Sequence, residues 1–182
     1  VGQTLPSHWS GDFDDLHDVE ITIREIQFGT GLVPGDVYDS LGHSLAGLSK
    51  ELDALVDYME SIEVSVSPLV GDREMISRGN SVFVNLDCHV CHLPPLYTDR
   101  QLHDVGTGDI RMERNSHGRG TMFDTPSLQG TWMTSPYFHD GSAATLEDLL
   151  SMGTVHNVSG GLDDSELLAL ISFLESLPSV EE

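Results

Sequence analysis

The chain has 182 residues, 38% of them hydrophobic, with 30 acidic side chains against 8 basic ones and a formal net charge of -22 at pH 7. That length allows one good core or two small ones, and no stretch is apolar for long enough to read as a membrane span. The acidic excess repels nucleic acid and anionic membrane surfaces; it favours a basic docking partner or a high-salt setting.

The chain starts Val1-Gly2-Gln3 without an initiator methionine, a basic n-region or an apolar signal segment, which predicts that upstream residues have been removed. His8-Trp9-Ser10-Gly11 then precedes Leu16, and Gly29-Thr30-Gly31 with Pro34-Gly35 marks a loop. Leu52, Leu55, Val56 and Met59 recur at helical spacing and predict an amphipathic helix over 51–62. Ser65-Val66-Ser67-Pro68 reads as a linker. A second helix is expected from Asp72 to Val84, with Met75, Ile76 and Phe83 as its apolar contacts. Between Pro94 and Pro136 the chain is rich in Gly, Asp, Thr and Pro and reads as loops, with regular structure resuming near Thr145. A last helix carries Leu167, Leu170, Ile171 and Leu174, and Asp163 with Glu166 predicts a capping box at its start.

Residues 51–62 can be laid on residues 166–177 with six of twelve positions identical. His139-Asp140-Gly141 followed by Leu146 repeats the earlier His8-Trp9-Ser10-Gly11 and Leu16. Two units are therefore expected. Residues 1–67 read as the closing half of a preceding module and residues 68–182 as a whole one, and only the second contains Cys-x-x-Cys-His.

Cys88-His89-Val90-Cys91-His92 holds both cysteines of the chain. Two thiols at this spacing can each add to one vinyl group of a porphyrin, and the next imidazole, that of His92, falls under the iron as proximal ligand. His89 between them is expected to face solvent. A structural zinc centre needs four ligands, and no second cysteine pair exists to supply them. Thioether formation consumes both thiols, so no disulfide is expected. Covalent haem c is matured outside the cytoplasm, which predicts a periplasmic or extracellular location.

A sixth ligand must come from elsewhere: Met152, Met122, Met133 and His156 all lie in the module. Methionine would raise the reduction potential and a second histidine would lower it. Pro94 or Pro95 is expected to present a carbonyl to the His92 ring. Arg111, Arg114 and Arg119 are candidates to pair with haem propionates, Trp132 is a candidate electron relay at the haem edge, and His103 and His139 read as loop-bracing hydrogen bonders.

The run Cys88 to Pro95, then Tyr97-Thr98-Asp99, Leu102-His103-Asp104-Val105-Gly106-Thr107-Gly108, Thr125-Pro126-Ser127-Leu128, Pro136 to Ser142 and Thr145-Leu146-Glu147-Asp148 resembles the C-terminal haem domain of the bacterial di-haem cytochrome c peroxidase and MauG-like family. The resemblance covers about residues 68–178 and, more weakly, residues 1–67. It implies a mainly α, cytochrome c-like haem domain with long loops, preceded by a partial second cytochrome c-like module. It implies Met152, in Met152-Gly153, as the sixth ligand of an electron-transferring haem. MauG-like members have a tyrosine there, and none lies near residue 152. Gln129 stands where the family commonly has arginine. The family also binds calcium between its haem domains, although no loop here has the acidic spacing of a dedicated calcium site.

Two functions follow as expectations. The first is a His/Met-ligated c-type cytochrome, or a docking subunit, that passes single electrons to a redox partner with a basic surface or to a larger haem-containing subunit. The second is part of a di-haem peroxidase or MauG-like oxidase whose other haem lies upstream or on another chain, and which needs an open iron position and a distal acid or base.

Overall fold

The computed structural model describes residues 4–5, 8–38, 43–63, 65–68, 72–108, 120–158 and 160–177. Arg111, Arg114 and Arg119 lie outside the described residues. The helices are α1 (Val19–Ile21), α2 (Lys50–Ser61), α3 (Arg73–Asn85), α4 (Leu146–Ser151) and α5 (Asp164–Glu175). α1 is the middle of a longer helical stretch, preceded by a 3-10 turn at Leu16–Asp18 and followed by a wider π turn at Thr22–Ile26.

The larger core forms where α3 crosses α5. Val82 and Phe83 of α3 pack with Leu170, Phe173 and Leu174 of α5, Leu177 beyond it, and Leu146 and Leu150 of α4. Full burial of such a side chain contributes about 1.5–3 kcal/mol. The crossing is close because Gly79 has no side chain: a Cβ there would stand 2.0 Å from the Ala169 carbonyl oxygen. Arg78 adds a polar clasp by donating to Ser165 Oγ at 2.6 Å. The expected contacts of α3 hold for Phe83 and Ile76, but Met75 is 39% exposed. It stands in the first turn of the helix.

Both main helices start where side-chain chemistry satisfies free amide groups. Asp72 accepts from Glu74 N at 2.9 Å. Asp163 accepts from Glu166 N at 2.8 Å while Glu166 accepts from Asp163 N at 3.1 Å, the expected capping box. Asp163→Ala is expected to lower stability by about 1 kcal/mol in thermal melts.

A smaller core holds Val33, Leu45 and Leu52 with Val19 and Tyr38 against it. Its loop is gathered round the fully buried carboxylate of Glu20, which accepts from Leu32 N at 2.8 Å, Val33 N at 3.0 Å and Arg24 Nε at 2.7 Å. Burial pushes this carboxyl up, but the two backbone donors and Arg24 outweigh it and hold it below its ordinary value. Arg24 also donates to the Val33 carbonyl and lies over the Tyr38 ring, 4.4 Å from its centroid. His17 stands between Asp15, at 2.7 Å, and Asp53 of α2, at 3.2 Å, which ties the first turn to that helix.

The stretch expected to be loops contains a two-residue antiparallel pair, β1 (Leu102–His103) with β2 (Phe123–Asp124), in which Leu102 faces Asp124 and His103 faces Phe123. So short a pair carries no periodic signal. It also receives the N-terminal segment, because Asp124 N donates to the Trp9 carbonyl at 2.8 Å. Thr145 caps α4 where regular structure was expected to resume.

Candidate haem site

Two residues beyond the end of α3, Asp87 has a φ of 58° that turns the chain into the 3-10 turn Cys88–Val90. A short acidic side chain tolerates that left-handed conformation. The turn brings His92 back onto the helix end, with His92 N donating to the Cys88 carbonyl at 3.0 Å. Cys88 and Cys91 are both half-buried and not disulfide-bonded. Burial pushes both thiols up, and Asp99 adds to the effect at Cys91. His89, expected to face solvent, is half-buried and has a buried Nδ1. The tightness of the turn, which the linear motif does not show, draws it inward.

His92 Nδ1 donates to the Tyr97 carbonyl at 3.0 Å. The expectation that Pro94 or Pro95 would supply this carbonyl is thereby corrected: Pro95 O instead accepts from Gln129 Nε2 at 3.1 Å. Tyr97 can serve because its φ of 55° aims the carbonyl at His92. Such a φ is costly for a bulky residue and persists only when its surroundings hold it. The Tyr97 ring packs edge-on against Phe83 and Phe173, at centroid distances of 6.1 and 6.2 Å. Around it, segment 95–98 is stitched to segment 125–129: Ser127 Oγ donates to Leu96 O and Thr98 Oγ1 to Thr125 O, each at 2.6 Å. The Thr125-Pro126-Ser127-Leu128 motif is therefore a brace for His92.

Burial moves the His92 ring below the ordinary histidine range, partly offset by the Tyr97 carbonyl and the charge of Asp99. A neutral imidazole with Nδ1 tied to a carbonyl keeps its other nitrogen free for a metal. The ring facing it is that of His156, at a centroid distance of 6.4 Å. Burial, with His92 as the lesser cause, pushes His156 down to about 4, so it too is neutral at pH 7. Its Nδ1 is buried without a hydrogen-bond partner, as is Trp132 Nε1. Thr154 Oγ1 accepts from His156 N at 3.1 Å, and Phe138 lies 5.9 Å from the His156 ring. Met152, half-buried, ends α4 as its C-cap.

These residues fit haem c. Two thiols stand beside a neutral imidazole with an available lone pair, a second neutral imidazole faces it, and a buried indole N–H has no acceptor.

A second polar group lies beside Cys91. His103 Nε2 donates to Asp99 Oδ2 at 2.7 Å, the loop-bracing role expected of His103. Ligand atoms of Cys91, Asp99 and His103 lie within 4.8 Å of one another. With a thiol and an imidazole among three groups, this is not the all-oxygen set that calcium prefers. His139 stacks on Phe123 at 4.1 Å and meets the Trp9 ring edge-on at 6.5 Å. Sequence reasoning missed the Tyr97 carbonyl, Asp124 and the Glu20 cradle, which depend on contacts between distant segments.

Helices crossing over a Cys-x-x-Cys-His turn whose histidine is braced define a cytochrome c-like haem protein of mainly α fold. Residues 122–154 match the family model described as RoxA-like, cytochrome c-like. The chain is 28% identical to hydrazine synthase subunit gamma of Kuenenia stuttgartiensis, over 81% of its own length and 53% of that protein's. It is 30% identical to the methylamine utilization protein MauG of Methylorubrum extorquens, over 59% of its own length and 37% of the relative's. A solved MauG-like protein associated with microbial copper homeostasis shares the fold, with a TM-score of 0.63 and 16% identity, covering 95% of this chain and 71% of the other. The chain is thus related to the MauG and bacterial cytochrome c peroxidase group. It spans about half the length of its hydrazine synthase relative and little more than a third of the MauG relative. No described helix is long and apolar enough to cross a membrane.

Proposed function

We propose that this chain is an electron-transfer haem module acting within or beside a larger oxidoreductase, in which Cys88 and Cys91 would anchor the group through thioethers and His92 and His156 would hold its iron. The observation that carries this reading is the 6.4 Å approach of the two half-buried imidazoles. When bound, haem c supplies a one-electron couple. His92, its ring orientation fixed by the Tyr97 carbonyl, would hold the iron together with His156, and iron so held would exchange electrons without admitting small substrates. Two imidazoles set a lower potential than the imidazole and thioether pair that the family resemblance implies through Met152. Trp132 offers its unpartnered N–H to an acceptor on the bound group. We place the protein outside the cytoplasm, where haem c is attached, and assign the acidic surface to docking of a redox partner with a basic face.

The names of the peroxidase and MauG relatives favour a second reading, in which the iron is open and reacts with peroxide. The visible spectrum of the purified haem-loaded chain separates the two. One low-spin haem per chain, unchanged by hydrogen peroxide, is expected; a high-spin ferric spectrum that changes on adding peroxide would establish the enzyme reading instead.

A further inference from the structure

Asp124 is a buried carboxylate that the electron-transfer reading leaves unused. It sits in β2, two residues before Pro126, in the segment that braces His92. It is 8% exposed, and its Oδ1 has no hydrogen-bond partner. The backbone holds it there from two sides: its N–H is bonded to the Trp9 carbonyl, and the next residue, Thr125, donates from N to the Gln101 carbonyl at 3.0 Å. The titratable groups acting on it are Asp99 and His103, from the segment opposite. The N-terminal segment meets it with the Trp9 carbonyl, and His139 stacks on its neighbour Phe123.

Two carboxylates in one desolvated place do not both ionise cheaply. The structure divides the roles between them. Asp99 accepts from His103 Nε2 at 2.7 Å and from Gln101 N at 3.0 Å. Burial alone would raise it, but these donors outweigh burial and hold it below the ordinary range. Asp124 Oδ1 has no such donor among the described residues; burial first, then the charge of Asp99, push the carboxyl up to about 6 against the opposing pull of His103. Carboxylates separated in this way define one anion and one proton acceptor. The same Asp99 charge acts on His92, so the pair is electrostatically joined to the proximal ligand.

We propose that Asp124 is the proton-binding site of this module, taking up a proton as the haem pocket takes up an electron. This rests on the electron-transfer reading above. An electron adds one negative charge to the pocket and strengthens proton binding at Asp124. By linkage, a proton on Asp124 favours electron binding to the same degree. One electron and one proton enter together from the redox partner and from solvent; no bond other than the carboxyl O–H forms.

The test is a spectroelectrochemical titration of the haem-loaded chain at a series of pH values around 6, on the parent protein, on Asp124→Asn and on Asp57→Asn, an exposed control in α2. The parent potential is expected to fall as pH rises, approaching about 59 mV per unit, the tenfold step of a one-electron couple. Asp124→Asn is expected to flatten the slope, and Asp57→Asn to keep it. Infrared difference spectra of the parent between oxidised and reduced forms are expected to show a carboxyl group becoming protonated, a readout that needs no variant to fold. A pH-independent parent potential, or a slope retained in Asp124→Asn, would overturn the proposal while a reversible low-spin haem left the electron-transfer reading standing. A haem that shows no reversible one-electron couple would overturn both.

Discussion

Gly79→Ala is expected to lower the thermal midpoint of the chain by about 4–8 °C, followed by circular dichroism or by haem absorbance. The added methyl would meet the Ala169 carbonyl oxygen at 2.0 Å, the Ala169 carbonyl carbon at 2.6 Å and Phe173 Cβ at 2.7 Å. None of these is the free end of a flexible side chain, so α3 and α5 must part. Overpacking of this kind costs about 1–3 kcal/mol, and a backbone obstacle belongs at the upper end. The better helix propensity of alanine returns about 1 kcal/mol. The balance is a loss of about 2 kcal/mol, worth about 4–8 °C in a chain of this size. Because α3 runs directly into Cys88 and the crossing seats Phe83 and Phe173 under Tyr97, the haem spectrum should shift with it. Gly35→Ala, with nothing within 4 Å of its added Cβ, is the matched control and should leave the midpoint unchanged. A Gly79→Ala protein as stable as its parent would mean that the two helices do not cross at this position.

His156→Ala is expected to convert a low-spin haem into a high-spin one and to open the iron to external ligands, whereas Met152→Leu should keep the low-spin spectrum. The His156 side chain is largely withdrawn from water, its ring faces His92, and its Nδ1 lacks a partner. A buried ring nitrogen without a partner is costly to keep, and bonding of that nitrogen to a metal would remove the cost. Met152, at the end of α4, is the donor the family pattern implies. A methionine-to-iron charge-transfer band in the parent, lost in Met152→Leu, would give the position to Met152 and predict a higher potential. Addition of imidazole to His156→Ala should restore the low-spin spectrum, a rescue that a purely structural role for His156 would not produce.

Much of the local architecture was readable from the residues. The helices over 51–62 and 166–177 followed from apolar spacing, and the observed α2 and α5 match them to within two residues at each end. The capping box of Asp163 and Glu166 was legible because it lies within four consecutive residues. The proximal brace was not. Its donor, His92, and its acceptor, Tyr97, are five residues apart, but the choice of Tyr97 over Pro95 depends on Ser127, Gln129 and Thr125, some thirty residues on. The β1 and β2 pair was invisible for the same reason, since its two short pieces are too brief to show alternation.

The sequence by itself determined the Cys-x-x-Cys-His motif on which the attachment proposal rests, because Cys88, Cys91 and His92 lie within five residues. It also determined the acidic character and the helices, which are local or compositional properties. Only the tertiary structure decided which carbonyl holds His92, that His156 is the ring facing it, and that Asp124 and Asp99 share one desolvated corner. Those properties depend on what burial and chain crossing bring together, and a buried group's ionisation and partners are set by neighbours from segments that the linear order keeps apart.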